Sequence, residues 1–97
     1  MQELAKVEDI PETCGLRVRV DDKYIALFIV NGSVHAINAI CPHAGAFLDM
    51  GYLKGPIVTC PLHGWDFDVR DGKSPSYGIQ ITCYRVEVED GVVYLRE

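Results

Sequence analysis

Long apolar runs are missing from this sequence. The longest, Tyr24–Val30, is far shorter than the roughly 20 residues a membrane-spanning helix needs. The opening stretch, Met1–Asp9, lacks the apolar core of an export signal, because Glu3, Lys6, Glu8 and Asp9 interrupt it. Lys and Arg are sparse and unclustered: nine stand against 14 Asp and Glu, a net charge of −5, which excludes the basic footprint of a nucleic-acid binder. The acidity serves either solubility or complementarity to a basic partner surface. No window carries the periodicity of a helix of normal length; a short helical turn is expected at Phe47–Met50. Repeats and low-complexity linkers are also lacking. These absences lead to the expectation of a soluble, cytoplasmic protein with no membrane and no nucleic-acid partner. With 97 residues it is one domain, small enough to lean on a metal or on disulfides. It has four cysteines, and without an export signal metal binding is the better default for them.

What the sequence does contain is β pattern. Leu16–Val20 alternates apolar and polar residues. Lys23–Val30 and Ser33–Ile37 flank Asn31-Gly32 and read as a hairpin. Pro56–Cys60 reads as a short apolar strand, and Trp65–Val69 alternates up to the turn signal Asp71-Gly72. Ile79–Glu89 reads as one longer strand, turned by Asp90-Gly91 into Val92–Leu95. Many short strands with frequent turns predict an all-β protein, a small antiparallel sandwich or barrel. Cys41–Gly64 breaks the rhythm with Pro, Gly, Cys and His, as a site-bearing insertion does.

Two motifs carry the chemistry. Cys41-Pro42-His43 and Cys60-Pro61-Leu62-His63-Gly64-Trp65 each offer one thiolate and one imidazole, a set that suits zinc or iron–sulfur chemistry and poorly suits magnesium or calcium. Two such loops folded face to face would enclose one centre. Pro42 and Pro61 stiffen the backbone directly after each cysteine, and Gly64 permits a tight turn after the last ligand. Backbone N–H groups in such loops can point at bridging sulfides. The same Cys₂His₂ set is also a legitimate zinc site, although the one-residue gap between Cys41 and His43 is unusual for a zinc finger. Colour separates the two, since zinc leaves a protein colourless.

The paired motif, with 16 residues between His43 and Cys60, resembles that of Rieske proteins, and the likeness extends to Gly64-Trp65, Phe67-Asp68 and Pro75. It implies a Rieske-like β base, residues 1–38 and 73–97, carrying a cluster-binding subdomain at residues 39–72. It also implies one [2Fe-2S] cluster per chain, with Cys41 and Cys60 on one iron and His43 and His63 on the other. Neutral imidazoles bring no negative charge, so such a centre accepts an electron more readily than an all-cysteine one. The histidine-bound iron would take the electron, with His43 and His63 as the exit toward a partner.

High-potential members of that family carry a disulfide between the cluster loops, and a serine and a tyrosine that hydrogen-bond the cluster. Here Ala46 and Leu62 stand at the disulfide positions, Trp65 at the serine and Phe67 at the tyrosine. Hydrogen bonds to sulfur stabilise the reduced state, so their loss implies a potential near the low end of the Rieske range, about −150 mV. The chain has three histidines, and after the two ligands only His35 is left, too few for the mononuclear iron site of a terminal oxygenase. The resemblance therefore implies a non-enzymatic ferredoxin component of a multicomponent oxygenase system, resembling those of bacterial aromatic-ring dioxygenases. Its partners would be an NAD(P)H-dependent flavoprotein reductase and the terminal oxygenase, and its expected state is a monomer. The small subunit of an assimilatory nitrite reductase is the alternative. Cys14 and Cys83 are expected as buried free thiols, His35 as structural, and Trp65 and Phe67 as packing under the loops. Pro75 is expected to cover one side of the cluster. Pro42, Ala44, Phe47, Pro61 and Leu62 are expected as an apolar tip.

Overall fold

A computed structural model describes residues 2–42, 45–62 and 64–96. Ten strands follow one another: β1 Gln2–Lys6, β2 Leu16–Val20, β3 Lys23–Val30, β4 Ser33–Asn38, β5 Tyr52–Lys54, β6 Ile57–Thr59, β7 Asp66–Asp68, β8 Cys83–Tyr84, β9 Val86–Glu89 and β10 Val92–Leu95. Two single 3-10 turns, Val7–Asp9 and Leu48–Met50, are the only helical elements among the described residues. Three antiparallel sheets result, in the orders β1-β10-β9, β2-β3-β4-β8 and β5-β6-β7. None of the helices is long and apolar enough to cross a membrane.

Strand β3 explains why its sequence is apolar throughout. Successive side chains of a strand point to opposite faces. Ala26 and Phe28 enter a core shared with Cys41, Leu48, Val58, Cys60 and Phe67, while Ile25 and Leu27 enter a second core with Ile10, Val20, Val93 and Leu95. Strand β4 divides the same way, with Ile37 in the first core and Ala36 in the second. The central hairpin is thus buried on both faces and separates two layers. The layer of the first core is closed by the sheet β5-β6-β7.

Three elements and one cysteine differ from the sequence expectation. Strand β1 has little alternation and three charged or amide side chains; it forms because β10 offers a partner edge, paired from Gln2↔Leu95 to Lys6↔Val92. Strand β5 is only three residues long and owes its place to a hairpin through Gly55, whose φ of +59° only glycine adopts freely. Ile79–Glu89 is not one strand: Gln80 bridges Lys73, Cys83–Tyr84 pairs with β4, and Val86–Glu89 pairs with β10, so the chain passes through three neighbourhoods in eleven residues. Arg85 marks the last change of sheet and accepts the Arg96 N–H at 2.9 Å. Cys83, expected buried, is an exposed residue, and its thiol donates to the Arg70 carbonyl at 3.5 Å.

Candidate metal centre

Cys41 and Cys60 each open a six-residue turn. The first runs over residues 41–46, between the bridged pair Ile40↔Phe47; the second over residues 60–65, between Thr59↔Asp66 at the mouth of the β6–β7 hairpin. Both close in the same way. The Cys41 N–H donates to the Ala46 carbonyl at 2.8 Å, and the Cys60 N–H to the Trp65 carbonyl at 2.6 Å. Proline stands second in each and glycine fifth. Gly45 and Gly64 have φ of +67° and +69°, the left-handed conformation that reverses the chain.

The turns bring the two cysteines together. Both are buried in the first core, both are free, and their side chains lie close enough to act on one another. Burial pushes the Cys60 thiol above its ordinary pKa and the neighbouring Cys41 adds to this, while the Leu62 N–H pulls the other way by donating toward the sulfur. Two desolvated thiols side by side, unbridged and met by a backbone donor, form an electron-rich pair that a soft metal centre satisfies as thiolates. The donor set therefore fits an iron–sulfur or zinc centre. His43 and His63, the sequence-expected nitrogen ligands, lie outside the described residues, as does Ala44. Among the described residues no group of three His, Cys, Asp or Glu side chains could hold a metal.

The surroundings lack charge. No Asp, Glu, Lys or Arg occurs in residues 39–48 or 55–65. A charged anchor stands at the foot of the first turn. Asp49, 7% exposed, accepts from Arg17 Nε at 3.1 and 3.3 Å, and the Arg17 guanidinium lies 3.4 Å from the centre of the Phe47 ring. Phe47 in turn meets Tyr24 edge-on. Of the positions singled out earlier, Phe67 is fully buried, Ala46 is half-buried, and Leu62 and Pro75 are exposed. Trp65 packs against the first core and stacks on Tyr77, with ring centres 4.2 Å apart. Sequence reasoning missed Arg17, Asp49 and Tyr77.

Residues 1–83 match the Rieske [2Fe-2S] domain family. The chain belongs to the Rieske family. A protein described as the ferredoxin component of naphthalene 1,2-dioxygenase/salicylate 5-hydroxylase systems from Ralstonia sp. is 37% identical, over 95% of this chain and 90% of its own. The solved ferredoxin of Sphingomonas yanoikuyae B1 superposes with a TM-score of 0.90 at 31% identity, over 98% and 96% of the two chains. A chain from the complex of reduced oxygenase and oxidised ferredoxin in carbazole 1,9a-dioxygenase gives 0.87 at 30%, over 97% and 99%. One assigned as an NADH-dependent nitrite reductase small subunit, from Mycobacterium tuberculosis, shares the fold at 0.86 and 23% identity, over 97% and 91%.

Proposed function

We propose that this Rieske protein is the ferredoxin component of an aromatic-ring dioxygenase system. In this reading it takes single electrons from an NAD(P)H-dependent flavoprotein reductase and gives them to a terminal oxygenase. The carrying observation is the buried, unbonded pair Cys41 and Cys60 at the head of two matching turns. Relatives described as dioxygenase ferredoxins, aligned over nearly the whole chain, support the pathway. We assign one cluster per chain to Cys41, His43, Cys60 and His63, borne on residues 39–72, with 1–38 and 73–97 as base. A cytoplasmic monomer suits the assignment.

Bound there, a [2Fe-2S] cluster supplies one-electron redox chemistry. The chain's part is to hold two anionic sulfurs in an apolar core, aim the Leu62 N–H at one of them, and keep other charges away. Neither Trp65 nor Phe67 offers a hydroxyl to sulfur, which favours a potential near −150 mV, about the lower limit for Rieske centres.

The test is direct. Protein purified without air is expected to be red-brown, to contain acid-labile sulfide, and to become EPR-active on reduction. His63→Ala is expected to lose all three properties. Absence of labile sulfide in the parent, or a parent-like spectrum in His63→Ala, overturns the assignment. A clearly positive midpoint potential overturns the low-potential reading. The nitrite reductase alternative has the shared fold in its favour; oxidation of the reduced protein by nitrite reductase and not by a ring dioxygenase would establish it.

A further inference from the structure

A charge pair borders segments that carry no Asp, Glu, Lys or Arg, residues 39–48 and 55–65. The Arg17 guanidinium carbon sits 3.4 Å from the centre of the Phe47 ring, and Tyr24 meets that ring edge-on. Phe47 follows Ala46, whose carbonyl closes the Cys41 turn at 2.8 Å, and the next N–H, of Leu48, donates to the Ala39 carbonyl at 2.6 Å. The arginine therefore holds an aromatic ring against the foot of the turn that bears Cys41.

A cation in that place has an electrostatic consequence. Reduction of the centre adds one negative charge, so a nearby cation favours the reduced state and raises the potential. Asp49 stands where it cancels this. Its carboxylate is 8% exposed and accepts from Arg17 Nε at 3.1 and 3.3 Å. The loop before β2 packs closely on it. The Gly15 N–H donates to the Asp49 carbonyl at 2.9 Å, and a Cβ at Gly15 would stand 3.0 Å from the Asp49 Cα and 2.8 Å from the Phe28 ring. Burial of a carboxylate is costly. Arg17, with its side chain 32% exposed, reaches water and does not require it. Arg19 shows the contrast: two residues along β2, over the Tyr24 ring at 5.7 Å, it is exposed and donates to a backbone carbonyl, that of Asp21, at 3.0 Å. A buried carboxylate thus meets the arginine beside the cysteine turn, and a carbonyl meets the one farther along the strand.

We infer that Arg17 and Asp49 form a charge-cancelled clamp: Arg17 fixes Phe47 and with it the Cys41 turn, and Asp49 removes the rise in midpoint potential that the guanidinium would impose on the centre. This rests on the Rieske reading. Both are positioning residues; neither is placed as a ligand.

Holoproteins of the parent, Asp49→Asn, Asp49→Glu, Arg17→Gln, the double variant Arg17→Gln/Asp49→Asn and Arg19→Gln are compared by redox titration at about pH 8, where carboxylates are ionised. Asp49→Asn removes a buried negative charge and is expected to raise the midpoint. Arg17→Gln removes a positive charge and is expected to lower it, by less, because water screens Arg17 and not Asp49. The double variant is expected between the two single ones. A loosened turn would move both single variants the same way, so opposite signs are the mark of charge. Shifts of one sign, or an unmoved midpoint in Asp49→Asn, overturn the inference. So does Arg19→Gln lowering the midpoint as far as Arg17→Gln, since overall charge would then suffice. Asp49→Glu keeps the charge and is expected to match the parent; a rise like that of Asp49→Asn overturns the inference even where Arg17→Gln does not fold. A colourless parent strikes at the Rieske reading itself, whereas a coloured parent with unmoved midpoints strikes only at the clamp.

Discussion

Gly45 and Gly64 stand at the fifth position of their turns with nothing within 4 Å of where a Cβ would sit. Space does not select glycine there; the positive φ does. An alanine in the left-handed conformation costs about 1–2 kcal/mol, and asparagine less. Gly45→Ala is therefore expected to lower stability by about that amount, with Gly45→Asn between alanine and parent, as read from thermal midpoints of the holoproteins. His35 gives a second residue-scale prediction. Burial lowers its pKa from 6.5, nearby Arg70 lowers it further, and Asp68 opposes both. The unfolded chain thus binds the proton more readily, so the stabilisation is complete above pH 6.5 and is lost as pH falls through the lowered folded value. Thermal midpoints taken from about pH 5 to about pH 8 should climb across the lower part of that window, and the climb should shrink in His35→Gln. At this scale the sequence was most readable where chemistry demands a residue type. Two cysteines and two histidines at fixed spacing announce a metal. Tyr77 announces nothing, because its stack on Trp65 joins residues twelve apart that only the fold brings together.

The elements holding the first cysteine turn come from distant parts of the chain. Strand β2 supplies Arg17, the turn Leu48–Met50 supplies Asp49, and Phe47 closes the cysteine turn itself. Arg17 does two things at once: it neutralises a carboxylate that is 8% exposed, and its guanidinium sits over an aromatic ring. Removing it leaves Asp49 buried and unpaired. Arg17→Ala is expected to cost about 1–3 kcal/mol in chemical denaturation. Arg17→Lys is expected to recover part of it, because lysine restores charge and cannot stack in the same plane. Strand β2 was legible from its clean alternation, and β3 from a run of β-forming residues that ends at the turn signal Asn31-Gly32. Strand β1 was not, since its polar residues pair only because β10 is there. Ile79–Glu89 reads as one strand because its β-forming residues run on, while its three pairing partners lie far away in sequence.

Across the whole molecule, the two cores stand differently toward the proposed metal centre. The first contains Cys41 and Cys60 among Phe28, Leu48, Val58 and Phe67; the second, around Ile25, Leu27, Val93 and Leu95, contains none of the four residues proposed as ligands. They share only the central hairpin β3–β4. Metal binding and folding are coupled where ligands form part of the core, since two buried thiols left without a metal have lost the partner their burial requires. Removal of the cluster is therefore expected to loosen the chain in one layer first. Hydrogen exchange compared between holoprotein and apoprotein should show protection falling at Leu53, Val58 and Phe67 in the sheet β5-β6-β7. Protection should persist at Val93 and Leu95, whose strand β10 is paired on both edges, by β1 and β9. Uniform loss of protection would mean that the shared hairpin transmits the disturbance and the protein unfolds as one unit. Unchanged protection in β6 and β7 would mean that the thiol pair is held by packing alone, with the metal contributing nothing to the fold.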